Sequence, residues 1–153
     1  MLRITCTGAE AVAASFEAAA AAVTAQKPQW LTQGGEITKT AVAGEITAQG
    51  LVETGALLGS GRVFGLGGDG ISVGFGQGLE YAQALERGAM PHPIVASRAS
   101  NLKFYWEKAG MWFLGPSVMH PGNRPYAYAR NGAAIASPIV AAMVIGRIRA
   151  IFS

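Results

Sequence analysis

Arg62-Val63-Phe64-Gly65-Leu66-Gly67-Gly68-Asp69-Gly70-Ile71-Ser72-Val73-Gly74-Phe75 is the stretch on which the fold turns. Its centre, Gly65 to Gly70, matches G-x-G-x-x-G, the fingerprint of a dinucleotide-binding α/β domain. That fingerprint needs a strand before it and a helix after it. Here strand character resumes at Ile71-Ser72-Val73-Gly74-Phe75. The same letters then describe two antiparallel strands joined by a glycine-rich tip. The expected partner of this stretch is therefore its own hairpin mate, with no nucleotide or other cofactor.

Moving outward toward the C-terminus, Leu79 to Arg87 reads as a short helix with Gly88 as its stop. Pro91-His92-Pro93-Ile94-Val95 is extended, because a residue before proline is pushed out of the helical region. Leu102, Phe104 and Trp106 alternate with Lys103, Tyr105 and Glu107. Met111, Phe113 and Val118 continue the pattern after Lys108-Ala109-Gly110, giving a hairpin with aromatic residues on both faces. A strand apolar on both faces is covered on both sides, by its own fold or by a neighbouring subunit. His120-Pro121-Gly122-Asn123-Arg124-Pro125 is a restricted turn. Ser137-Pro138 reads as the start of a last helix, 137–153, with Ser137 as cap. Val140, Val144, Ile148 and Ile151 form its stripe, and Arg147 and Arg149 suit its dipole.

Toward the N-terminus, Leu2 to Cys6 alternates as a short strand, and Thr7-Gly8-Ala9-Glu10 has capping-box spacing. Val12, Phe16, Ala19 and Val23 predict an alanine-rich helix from about Ala9 to Ala25, ended by Pro28. Gln33-Gly34-Gly35 reads as a break. Ile37, Ala41, Val42, Ile46 and Val52 then predict a second helix from Glu36 to Val52, weakened by Gly44 and Gly50.

The pattern is α+β: an antiparallel sheet packed by N-terminal helices and a C-terminal helix, with a protruding aromatic hairpin. A chain of 153 residues fits one domain. Its parts are strand and helices in 1–52, sheet and hairpin in 53–130, and helix in 137–153. Half of the residues are hydrophobic and only 14% are charged, against roughly 25% in ordinary domains. So lean a charge complement is tolerated when surface is hidden against neighbours. The net charge of +3 comes without a basic tract, which disfavours a dedicated nucleic-acid reader. The lone Cys6 permits no internal disulfide and fits cytosolic synthesis. The apolar run Ile139 to Ile145 falls far short of a membrane span, and no signal peptide is evident.

Four motifs stand in a specific order. They are Thr54-Gly55-Ala56-Leu57-Leu58-Gly59-Ser60, Val73-Gly74, Tyr81-Ala82 with Glu86-Arg87-Gly88, and His120 to Pro125. From Glu53 to about Ala134 the chain resembles the neck and tail-completion proteins of long-tailed bacteriophages, a group that takes in head–tail joining and minor tail proteins. The resemblance implies a virion protein, made in the bacterial host cytoplasm, that forms a homo-oligomeric ring, commonly a hexamer. Such a ring meets the tail-tube protein and the head-connector or stopper proteins. DNA passes through its lumen without sequence-specific binding, and no membrane is involved. Tail terminator rings belong to the same role class and remain an alternative.

A ring needs one face of a subunit to dock on a different face of the next. Aromatic residues are enriched at interface centres. The candidates are Phe104, Tyr105, Trp106, Trp112 and Phe113, the turn residues His120, Pro121, Arg124 and Tyr126, and the last helix. The bland reading makes the aromatics the subunit's own core. Gly67 and Asp69 in the glycine-rich tip either order on a tail or connector protein or form an idle hairpin tip. His92 and His120 lack a third ligand nearby, so no metal is expected, and no catalytic triad or carboxylate pair suggests itself. A small nucleic-acid-binding module and a histidine-dependent enzyme are the remaining rivals.

Overall fold

A computed structural model describes residues 8–65, 70–107 and 109–153. The strand expected over Leu2 to Cys6, the Thr7 cap, and Gly67 and Asp69 lie outside the described residues. The chain gathers into two compact units, residues 1–79 with 128–153, and residues 80–127. Helices and small antiparallel sheets make it α+β.

The first unit is built on α1 (Ala9–Ala48) and α4 (Tyr128–Ile151). The two helices expected between Ala9 and Val52 are one continuous helix of 40 residues. Pro28 lies inside it, although an interior proline costs about 3 kcal/mol by removing one N–H and crowding the preceding turn. Packing outweighs that cost. Downstream of Pro28, Trp30, Val42 and Ile46 are buried. Thr24 and Thr32 return their hydroxyls to the carbonyls of Ala20 and Pro28, at 2.9 and 3.0 Å.

Gly34-Gly35 does not break the helix either. A Cβ on Gly34 would sit 3.2 Å from Val140, and one on Gly35 would sit 2.7 Å from Val63 and 3.0 Å from Ile71. The glycines admit α4 on one side and a β-ribbon on the other. The helix ends at Ala48, short of the expected Val52. Gly50, at φ 69°, lets the Leu51 N–H return to the Ile46 carbonyl at 2.9 Å.

The last helix also differs from expectation. It starts at Tyr128, so Ser137 is no cap and Pro138 lies in its interior. Gly132 explains the early start, because its bare backbone meets the backbone of Val42; a Cβ there would lie only 2.5 Å from the Val42 Cα. Tyr128, Gly132 and Ala136 are buried one turn apart. The extended helix is long and apolar enough, by length and composition alone, to cross a membrane, which the shorter helix expected from Ser137 was not.

α2 (Ala56–Gly59) and the ribbon of β1 (Arg62–Gly65) with β2 (Ile71–Gly74) complete this unit. β1 and β2 pair antiparallel from Arg62–Gly74 to Gly65–Ile71, so a strand follows the glycine-rich tip, as the hairpin reading requires. Ser60 fastens the ribbon to α2. Its hydroxyl donates to the Leu57 carbonyl and accepts from the Gly76 N–H, each at 2.6 Å.

The second unit holds α3 (Glu80–Arg87), β3 (His92–Val95), β4 (Leu102–Trp106), β5 (Met111–Gly115) and β6 (Ser117–His120). Gly88, at φ 81°, ends α3. β4 pairs with β5, and β3 with β6, both antiparallel. Val118 thus belongs to a ribbon outside the hairpin that carries Phe104 and Phe113. With β1–β2 this makes, among the described residues, three separate two-stranded sheets in place of one continuous sheet. Prolines account for the separation. Pro116 turns the chain between β5 and β6, and Pro91, Pro93 and Pro121 remove donors from the flanks of the β3–β6 ribbon.

Candidate assembly surface

The β4–β5 hairpin carries five of the candidate residues, Phe104, Tyr105, Trp106, Trp112 and Phe113. Its register sets Phe104 opposite Phe113, Tyr105 opposite Trp112 and Trp106 opposite Met111. Strand alternation then sorts them onto two faces. Leu102, Phe104, Trp106, Phe113 and Met111 share one face. Lys103, Tyr105, Trp112 and Leu114 share the other. On the first face the Phe104 and Phe113 rings lie 5.2 Å apart, and Phe113 covers the bare Cα of Gly115. On the second, Tyr105 meets Trp112 edge-on at 5.7 Å, and the Lys103 ammonium stands 5.6 Å from the Trp112 ring centre.

Neither face is enclosed by the chain. Phe104 is 36% exposed, Tyr105 51%, Trp106 44% and Trp112 63%. Of the hairpin aromatics only Phe113 is half-buried. The bland reading, an internal aromatic core, fails for the other four. Sequence periodicity marks an apolar strand face but not whether another part of the same chain lies over it. Exposed Met90, Leu114 and Met119 belong to the same unit and escaped that reading. Methionine in an alternating strand looks like core filler.

The His120–Pro125 turn is held by its backbone. Ala89 and Asn123 exchange N–H···O bonds of 3.0 and 2.9 Å. The Asn123 amide donates to the Ala84 and Arg124 carbonyls at 2.9 and 3.0 Å. Gly122, at φ 78°, lies where a Cβ would strike the Ala89 carbonyl. The Tyr126 N–H donates to the Leu85 carbonyl at 2.8 Å, docking the turn on α3. Arg124 stacks over the Tyr126 ring at 5.9 Å. Pro121 and Arg124 are exposed, and His120 and Tyr126 half-buried. This turn therefore has a structural role, presenting Pro121 and Arg124 on a fixed support.

His92 and His120 are cross-strand partners with ring centres 5.1 Å apart. Their outer bonds differ. His92 Nδ1 meets the Met90 carbonyl at 2.9 Å and therefore carries a proton, while His120 Nδ1 accepts the Gly122 N–H at 3.0 Å. The pair shapes the turn. Among the described residues no group of three or more His, Cys, Asp and Glu side chains comes together.

An apolar groove of about 570 Å³ runs between the two ribbons of the second unit. Ile94 and Val118 line one wall, Leu102, Phe104 and Trp106 the other, and Glu107 and His120 sit at its margin. In the first unit a separate groove of about 520 Å³ lies between α1, β2 and α4, over the buried Trp30.

The outer side of α4 is a further apolar surface. Ile135 and Ile139 are exposed on one flank of it, and Ile145, Ile148 and Phe152 on another. No charged residue occurs from Asn131 to Gly146, and Arg147, Arg149 and Arg130 are its only charges. Phe152 meets the equally exposed Phe16 of α1, with ring centres at 6.1 Å.

No protein-family model, curated protein or solved structure matches this chain.

Proposed function

We propose that this chain is the repeating subunit of a ring at the head–tail junction of a long-tailed bacteriophage. The ring completes the tail and joins it to the capsid connector around the DNA channel. The motif order from Thr54 to Pro125 supports the phage assignment. One observation carries the assembly part: large apolar side chains stand exposed in both units, among them Trp106 and Trp112 of the hairpin and Ile139 and Phe152 of α4.

A ring subunit has two neighbours in the ring and further partners above and below. Large uncharged areas on distinct elements are what such a position requires. The low charge content serves the same end, since interface centres are depleted of charge.

Mass measurement of the purified protein, alone and with tail tubes, tests the reading. A ring under either condition supports it, and a strict monomer under both overturns it. Binding to DNA measured against salt separates it from a nucleic-acid module. A true DNA reader loses affinity steeply with salt, whereas a ring that merely surrounds DNA shows little affinity in any salt.

A further inference from the structure

We infer that neighbouring copies join by seating the Ile135, Ile139 and Ala142 face of α4 from one copy in the apolar groove between the β3–β6 and β4–β5 ribbons of the next. The inference rests on the ring reading and names the contact that would build it.

Both surfaces lack cover within their own units. Residues 80–127 bury only Ala82 and Ala127 among their hydrophobic side chains, so this unit of two ribbons and a short helix has almost no core of its own. Pieces this small rarely hold a packed fold unaided. Its groove is a slot between two β-ribbons, walled by Ile94, Phe104 and Trp106. α4 offers a matching insert. Ile135, Ile139 and Ala142 follow at i, i+4 and i+7, the spacing by which an amphipathic helix anchors in a groove.

Charge decides the pairing further. α4 carries arginines and no acidic residue, while the groove margin carries Glu107. Two α4 helices laid face to face would bring arginines together at any overlap of their ends. A groove with a carboxylate at its edge avoids that repulsion.

A lipid bilayer is the other cover that an exposed apolar helix of 24 residues invites. The partner helix argues against it. Contacts of Gly34 with Val140 and Val42 with Gly132 fix α1 antiparallel against α4. Lys27, Glu36, Lys39 and Glu45 of α1 therefore run beside the apolar length of α4. Placing such charges at membrane depth costs roughly 2.5–3.5 kcal/mol each.

A head-to-tail contact has a signature that a symmetric one lacks. Ile139→Asp spoils only the insert, and Met119→Asp, at a residue that also lines the groove, spoils only the groove; both sites are more than half exposed, so each variant is expected to fold. Each alone should be a monomer with wild-type circular dichroism, under conditions where the wild type assembles. Mixed in equal amounts, one intact groove and one intact insert remain, and the mixture should form dimers of about twice 15.8 kDa that grow no further. Ile135→Asn with Trp106→Asp provides a second pair should either aspartate prevent folding. A single variant that still forms rings, or a mixture that stays monomeric, overturns the contact while leaving the ring reading intact. Uptake of the wild type into anionic vesicles, abolished by Ile139→Asp, would overturn it in favour of lipid. Failure of the wild type to assemble, even with tail tubes, would instead defeat the ring reading.

Discussion

The α1–α4 helix pair and the ribbons of residues 80–127 are both rich in apolar residues, yet they use them in opposite ways. In the helix pair, apolar and small residues meet within the chain. Gly132 lies against the Val42 backbone, and Trp30, Val42 and Ile46 are enclosed. In the ribbons, the large residues stand outside and the buried ones are alanines. Hydrophobicity alone therefore does not say where a core is. What matters is whether a second surface approaches closely enough to displace water, and among the described residues of the ribbons' own unit none does.

Substitution at Gly132 should have the largest effect on stability. Gly132→Leu has no room, because even its Cβ would lie 2.5 Å from the Val42 Cα. Overpacking against backbone costs about 3 kcal/mol or more, so the variant should melt at least ~10 °C lower or be recovered as aggregate. Trp112→Ala is the counterpart in the ribbons. Trp112 is 63% exposed, so the thermal midpoint of the monomer should fall by no more than a few degrees. Ring formation, read by sedimentation, should nonetheless weaken by tenfold or more if Trp112 is an interface anchor. Equal losses of stability and assembly would erase the distinction between the regions.

Pro28→Ala sharpens the account of α1. The substitution restores an N–H inside a continuous helix, so the midpoint should rise by an amount equivalent to about 1–3 kcal/mol. A fall would mean that α1 depends on its proline. Asn123→Ala removes both hydrogen bonds that the Asn123 amide makes in the His120–Pro125 turn and should cost about 1–2 kcal/mol. Faster amide exchange at Ala89 and Tyr126, with α1 amides unchanged, would place that loss in the second unit. The smallest effect is expected for Trp30→Phe. Trp30 is buried and its Nε1 has no hydrogen-bond partner, so phenylalanine relieves an unpaired donor while giving up some packing. A change within ~1 kcal/mol is expected by calorimetry. A large loss would reveal a role for the indole N–H.

Local sequence determined a good part of this molecule. The hairpin reading of Arg62 to Phe75 matches the β1–β2 ribbon, the short helix over Leu79–Arg87 appears as Glu80–Arg87, and Gly88 stops it with positive φ. These are short-range outcomes, in which turn geometry and strand alternation act within a few residues. Pro28, Gly34-Gly35 and Ser137-Pro138 misled for the converse reason. Each is a breaker by its own conformational preference, worth about 1–3 kcal/mol, and each lies in a helix held by contacts with residues about 100 positions away. The exposure of Phe104, Tyr105, Trp106 and Trp112 was likewise beyond the sequence. Alternation fixes which face of a strand a side chain occupies; only the tertiary structure decides whether anything lies across from that face.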